Sequence, residues 1–307
     1  MKLSGRRSSS NVEDRRGQRV SGGASGGSNI VGMLLQMLLS GKKGGITGII
    51  AIVIVVASMF FGGDGILGGL MGTAEGGATE QVEYNQSAQE KELFEFSSKI
   101  LAGTEDVWSA EFQKLGKTYR APKLVIFKDA VRSGCGSATS STGPFYCSAD
   151  QTVYLDLSFF MSMKKQLGAD GDFAYAYVIA HEVGHHVQYL LGTLDDAHKL
   201  MNQYGRDTKE SNQISVRLEL QADFYAGLWA YHDNLMFDSI EDGDIDEGLN
   251  AAQKIGDDYL QKKARGYSVP DSFNHGTSDQ RSRWLKKGIR TGDIRQGDTF
   301  SQSYNSL

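Results

Sequence analysis

The sequence predicts an α+β domain, mostly helical with a small sheet, held behind one N-terminal transmembrane helix. Three observations carry this expectation. An uncharged apolar run lies near the N-terminus, short β-branched runs follow a long helical pattern, and helical periodicity dominates beyond residue 171.

The chain has 307 residues, room for one large domain or two ordinary ones. Its formal net charge of -5 gives no reason to expect a nucleic-acid partner. Many of its 38 Gly fall before residue 78, so the N-terminal third has to be read apart from the rest. Residues 1–29 are polar and Ser/Gly-rich and include Arg6, Arg7, Arg15, Arg16 and Arg19. A segment of that composition buries too little surface to offset chain entropy and is expected to be disordered. Ile30 to Leu39 is apolar but too short to span a bilayer.

After Lys42-Lys43 comes a run over 44–63 that carries no charge, is rich in Ile and Val, and ends near Phe60-Phe61. About 20 such residues match the hydrocarbon thickness of a membrane. Positive charges crowd its N-terminal side, whereas Asp64 and Glu75 follow it, so the positive-inside rule places residues 1–43 in the cytoplasm. The expected organisation is a disordered basic cytoplasmic segment (1–43), a transmembrane helix (44–63), a Gly-rich linker (64–85) and a folded extracytoplasmic domain (86–307). Two other readings compete. A buried core segment of a soluble hydrolase is disfavoured by the Gly-rich flanks. A cleaved signal peptide is disfavoured by the late start and the missing small-x-small site.

The folded domain opens with Leu93, Phe94, Ile100, Leu101, Val107, Trp108, Phe112 and Leu115 at mostly helical spacing. Lys123–Phe127 and Thr152–Leu157 read as short strands. Cys135 and Cys147 are the only cysteines, and their spacing fits no zinc knuckle or redox motif. Two readings stand for them: a disulfide worth about 3 kcal/mol, or a pair of buried thiols. An oxidising extracytoplasmic placement favours the disulfide.

Asp172 is placed to cap a helix running to Leu191, with Gly192 as its stop. Within it, His181-Glu182-Val183-Gly184-His185 sets two imidazoles four residues apart on one helix face, a spacing that can hold one Zn²⁺. Glu182 lies roughly a hundred degrees around the helix, where a general base can take a proton from a metal-activated water. The bland alternative is a helix with two surface histidines and a solvated glutamate. The apolar neighbours Ala180, Val183 and Val187 argue for burial instead, and burial makes unpartnered polar groups costly.

An open tetrahedral site needs a third protein ligand. A third histidine six residues after His185 is ruled out, because position 188 is Gln and position 191 is Leu. His186 points off the metal side and reads as packing or surface, and His198 has no spacing rule behind it. Glu219 is the better candidate, in an apolar-periodic helix from about Asn212 to His232. Asp223, four residues on, can accept the other ring N–H of a ligating histidine. The alternative there is an acidic solvent face, which Leu218, Leu220, Ala222 and Phe224 leave little room for. Thr277 and Gln280 have capping-box spacing, so His275 sits just before a helix start. His275 is either an oxyanion-stabilising group over the open metal position or an ordinary loop histidine.

With these residues identified, the chain resembles the bacterial family of putative neutral zinc metallopeptidases along nearly its whole length. The likeness runs through Gly5-Arg6-Arg7, Asn11-Val12-Glu13-Asp14-Arg15-Arg16, Gly143-Pro144-Phe145-Tyr146-Cys147 and Val153-Tyr154-Leu155-Asp156. It continues through Leu167-Gly168-Ala169-Asp170-Gly171-Asp172-Phe173, Val178 to His186, Glu219-Leu220-Gln221-Ala222-Asp223 and Val269-Pro270-Asp271-Ser272-Phe273 with His275-Gly276-Thr277. The resemblance implies a zincin-like fold of the gluzincin kind, with His181, His185 and Glu219 on one zinc per chain and Glu182 as base. The expected function is a zinc peptidase at the bacterial inner membrane, using metal-activated water on an extracytoplasmic peptide or protein substrate. A membrane-tethered zinc-binding scaffold without peptidase activity is the competing function.

Overall fold

In the computed structural model, which describes residues 1–20, 79–81 and 84–307, the helical spacing after Gln86 becomes α1 (Ala88–Lys114). Its start is chemically fixed. The Ser87 hydroxyl accepts from the Glu90 N–H, and the Glu90 carboxylate accepts from the Ser87 N–H, a capping box. Ile100, Leu101, Val107, Trp108 and Phe112 are its buried stripe, and Trp108 meets the Tyr225 ring edge-on at 5.4 Å.

The strands are short. β1 (Val12–Asp14) pairs in parallel with β4 (Lys123–Phe127), while β2 (Gln18–Val20) and β3 (Thr79–Gln81) form a separate antiparallel pair. β5 (Ala130–Ser133) and β6 (Gly136–Thr139) form a hairpin. β7 (Phe145–Cys147) lies antiparallel to β8 (Thr152–Asp156), and β8 is parallel to β4, giving the sheet order β1-β4-β8-β7. Alternation along these strands divides their side chains between two cores. Leu124, Ile126, Tyr146, Val153 and Leu155 join the helical core. Val125, Phe127, Phe145, Cys147 and Tyr154 pack with Val131 and Ala138 of the hairpin. Cys135, in the hairpin turn, is disulfide-bonded to Cys147 and ties the hairpin to the edge strand, in agreement with the oxidised reading.

The remainder is helical. α2 (Ser158–Ser162) runs into a π-helical turn (Met163–Leu167), followed by α3 (Asp172–Leu191), α4 (Thr193–Tyr204) and α5 (Lys209–Phe237). α6 (Asp244–Lys254), α7 (Asp257–Arg265) and α8 (Ser278–Thr291) complete the layer. α5 and α8 cross with their backbones in contact. A Cβ on Gly227 would lie 2.2 Å from the Leu285 carbonyl oxygen, and one on Gly288 would lie 2.2 Å from that of Phe224. Asp172 proves to be the first helical residue of α3 rather than its cap, a position where the helix dipole favours an acid. The Phe173 N–H is met from outside the helix, by the Glu247 carboxylate at 3.2 Å.

The α+β, mostly helical character is therefore observed, but the anchored architecture has to be corrected. The transmembrane helix expected over 44–63 lies outside the described residues, and among the described residues no helix is long and apolar enough to cross a membrane. The first twenty residues are not a disordered tail. Asp14 sits opposite Ile126 in the sheet, Arg6 makes a two-pronged ion pair with buried Asp233, and Arg7 and Ser9 bond Glu105 of α1. The expected topology put residues 1–43 across a bilayer from the folded domain. A bilayer cannot separate two strands of one sheet, so the single-pass inner-membrane placement, with a cytoplasmic N-terminus and an extracytoplasmic domain, is withdrawn. The zincin-like label rested on resemblance alone and is set aside too.

Candidate metal centre

α3 and α5 bring the ligand candidates together. The His181 and His185 rings stand on one face of α3, edge to face, with centroids 4.8 Å apart. Glu219 reaches across from α5, its Oε2 3.2 Å from His181 Nε2 and its Oε1 3.5 Å from His185 Nε2. The three side chains are buried, and their ligand atoms all lie within 4.8 Å of one another. Ligands about 2.0–2.2 Å from a tetrahedral ion stand about 3.3–3.6 Å apart, and the two Glu219 contacts, each to a different carboxylate oxygen, are of that order. Gly184 makes this reach possible. A Cβ there would sit 3.0 Å from the Ala222 carbonyl oxygen, so α3 and α5 pack at near backbone contact between the ligands.

Hydrogen bonds fix the ring orientations. Nδ1–H of His181 donates to Asp223 Oδ1 at 2.9 Å, and Nδ1–H of His185 donates to Gln188 Oε1 at 2.8 Å. With those protons placed, both Nε2 atoms face the Glu219 carboxylate, an arrangement that calls for a proton or a metal cation between them. Burial opposes charge on His181, yet Asp223 and Glu219 raise its pKa to about 9. The negative field that would hold a proton there equally favours a metal ion. Glu219 and Asp223 stay ionised despite burial. His275, His185 and His181 hold Glu219 well below the usual carboxylate range, and Arg281 with His181 lowers Asp223.

Several supporting groups carried no sequence signal of their role. Arg281 at the start of α8 is buried and grips Asp223 with Nε and Nη2, both at 2.9 Å, with Nη2 3.7 Å from Glu219 Oε2. The Tyr177 hydroxyl donates to Asp223 Oδ1 at 2.6 Å. Gln188 Nε2 donates to the Leu218 carbonyl at 2.7 Å and to Gln221 Oε1 at 3.1 Å, and Gln221 is itself held by the Gly297 carbonyl.

Glu182 lines the same cavity as the two imidazoles. Its Oε2 is buried without a hydrogen-bond partner, and burial raises its pKa. His275 lines that cavity as well, held by the first residue of α7. Asp257 Oδ2 accepts the N–H groups of Asn274, His275 and Gly276 at 2.8, 2.7 and 3.1 Å, and Asp257 Oδ1 lies 3.4 Å from His275 Nδ1. The Thr277–Gln280 capping box follows directly, where the spacing placed it. His186 is a packing residue. Its Nε2–H donates to the Arg120 carbonyl at 2.6 Å and its Nδ1 accepts from the Tyr146 hydroxyl at 2.9 Å. His198 stands on α4, outside the ligand cluster.

The family model described as putative neutral zinc metallopeptidase matches residues 1–300. Among curated proteins, Escherichia coli (strain K12) YpfJ, described as uncharacterized, is 49% identical over 303 residues, covering 99% of this chain and all of the relative. Mycobacterium tuberculosis (strain H37Rv) Rv2575, described likewise, is 42% identical over 193 residues, 60% of this chain and 64% of the relative. No solved structure matches.

Proposed function

The chain belongs to the putative neutral zinc metallopeptidase family, and from that premise we propose that it hydrolyses peptide bonds at a zinc ion held by His181, His185 and Glu219. One observation carries the reading: the partnerless buried carboxylate oxygen of Glu182 opens onto the cavity in which the three ligand atoms converge. A zinc ion bound there would supply Lewis acidity toward a peptide carbonyl and toward water. Glu182 takes the proton of the attacking water and passes it to the leaving amine nitrogen, a task suited to a carboxylate whose pKa burial has raised. His275 faces the carbonyl oxygen as it gains negative charge, and the Asp257 carboxylate keeps its loop in place. Asp223 and Gln188 hold the two ligating rings in the tautomer that presents Nε2.

A purely structural zinc site, as in a scaffold protein, closes with four protein ligands. Here three ligands and a carboxylate with one partnerless oxygen come together among the described residues, which favours the catalytic alternative. The deciding experiment is Glu182→Gln. Peptide hydrolysis is expected to disappear while zinc content stays near one ion per chain. Hydrolysis at the wild-type rate in that variant would remove Glu182 from the mechanism.

A further inference from the structure

The cavity that holds the metal-site atoms has a second wall that the proposed chemistry leaves unused. Phe159, Met163 and Leu167 line it from α2 and the π-helical turn, Val178 from α3, and Ile255 and Leu260 from the end of α6 and from α7. The cavity volume is about 120 Å³. An apolar cavity of about 150 Å³ admits a benzene ring, so a space of this order, shared with the reaction centre and open to solvent, takes one large apolar side chain beside the scissile bond. Away from the reaction centre the lining contains no ionised side chain, and Arg281, at its edge, is committed to Asp223. A charged group entering here would lose its hydration without gaining a partner.

The wall is also locally unusual. Met163–Leu167 is a π-helical turn, a conformation found mostly in single turns and frequently at functional sites. Its first and last residues, Met163 and Leu167, both reach this cavity.

We propose that this apolar wall is the specificity subsite, selecting peptides with a large uncharged side chain (leucine-, phenylalanine- or methionine-like) next to the scissile bond. The inference rests on the peptidase reading of the metal centre, and its test separates the two. Peptide hydroxamates carrying isobutyl, benzyl, carboxymethyl or aminobutyl side chains are titrated calorimetrically into zinc-loaded Glu182→Gln protein. In parallel, zinc-loaded wild type is incubated with a random peptide library, and the new termini are read by mass spectrometry.

The isobutyl and benzyl compounds are expected to bind at least about tenfold more tightly than the charged ones, since a methylene in an apolar pocket is worth roughly 10–200-fold. Ser162 and Gln166 line the same wall from solvent-accessible positions, so Ser162→Arg and Gln166→Arg test it without disturbing the core. Either substitution should lower affinity for the isobutyl compound and raise it for the carboxymethyl one. Equal affinity for all four compounds overturns the subsite, whether or not the library is cut. Selective binding without any cleavage by wild type leaves the subsite standing and sinks the peptidase reading instead.

Discussion

Replacing Asp223 by Asn probes the centre at its most heavily used group. Asp223 is fully buried, and its two oxygens serve three side chains. Oδ1 accepts from His181 Nδ1, the Tyr177 hydroxyl and Arg281 Nη2, while Oδ2 accepts from Arg281 Nε. An amide keeps the shape but loses the charge and turns one acceptor into a donor. Whichever way it lies, its NH₂ faces a guanidinium or imidazole donor. Removing one partner of a buried ion pair costs about 3–5 kcal/mol, a large share of a domain stability of about 5–15 kcal/mol. Loss of the carboxylate behind a ligating histidine weakens metal binding by about 10–100-fold. Arg281, left without its main counter-charge 3.7 Å from Glu219, adds positive charge beside a cation and pushes the same way.

Urea unfolding of the metal-free protein reads the first effect, and equilibrium competition with a chelator reads the second. Zinc at a hundred times its Kd stabilises the fold by about 2.7 kcal/mol, so the variant should also gain less from a fixed zinc concentration than wild type does. The sharpest outcome is in the double substitution. Asp223→Asn combined with Arg281→Met removes both charges, and the pair should be less destabilised than Asp223→Asn alone. A stability loss under about 1 kcal/mol with unchanged zinc affinity would refute the pairing argument.

Gln188→Met removes the acceptor that orients His185, and chelator competition should show zinc affinity falling about tenfold or more with the fold retained. Replacing Cys135 and Cys147 together by Ser should cost about 3 kcal/mol in urea unfolding, with the loss confined to oxidised wild type as reference. His186 gives a pH signature. Burial lowers its pKa to about 4, against the Arg120 carbonyl bond that raises it, so between pH 6.5 and 4 the unfolded chain binds the proton and the folded protein does not. Stability is therefore complete above pH 6.5 and falls as the pH drops toward 4, by roughly 3 kcal/mol for this group. In urea unfolding at pH 7 and pH 4.5, His186→Gln should show a correspondingly smaller pH dependence than wild type.

What the sequence made legible was local. The four-residue intervals His181–His185 and Glu219–Asp223, the Thr277–Gln280 capping box and the apolar runs of β4 and β8 each lie within one element. Periodicity or spacing exposes such features directly. What stayed hidden was joined across the chain. Arg6 pairs with Asp233 at a separation of 227 residues, and Arg7 with Glu105 at 98, so the composition of residues 1–20 looked unable to pack when its charges were in fact partnered. Arg281 and Asp257 were invisible for the same reason, since each acts on a residue of another element. Gln188 is different. It stands three residues after His185, at the right helical offset, but a helical glutamine usually faces water and only the buried crossing with α5 gives it a second role.

The charges around the cavity connect metal loading to base activation. Without an ion, the Asp223 and Glu219 carboxylates stand against the Arg281 guanidinium and against His181, whose pKa they raise to about 9, so a proton on that imidazole completes the balance in the buried space. A divalent cation takes the place of that proton, and without the ion burial holds Glu182 toward its neutral form. A divalent ion in place of that proton would shift the balance: two carboxylates, one guanidinium and the ion would sum to one positive charge, which an ionised Glu182 would neutralise. On the proposed mechanism Glu182 would then act as a base only in the metal-loaded site, and its ionisation would in turn strengthen the hold on the ion. Arg281 sets the size of this coupling, because without its charge the metal-free centre would carry one uncompensated carboxylate rather than none.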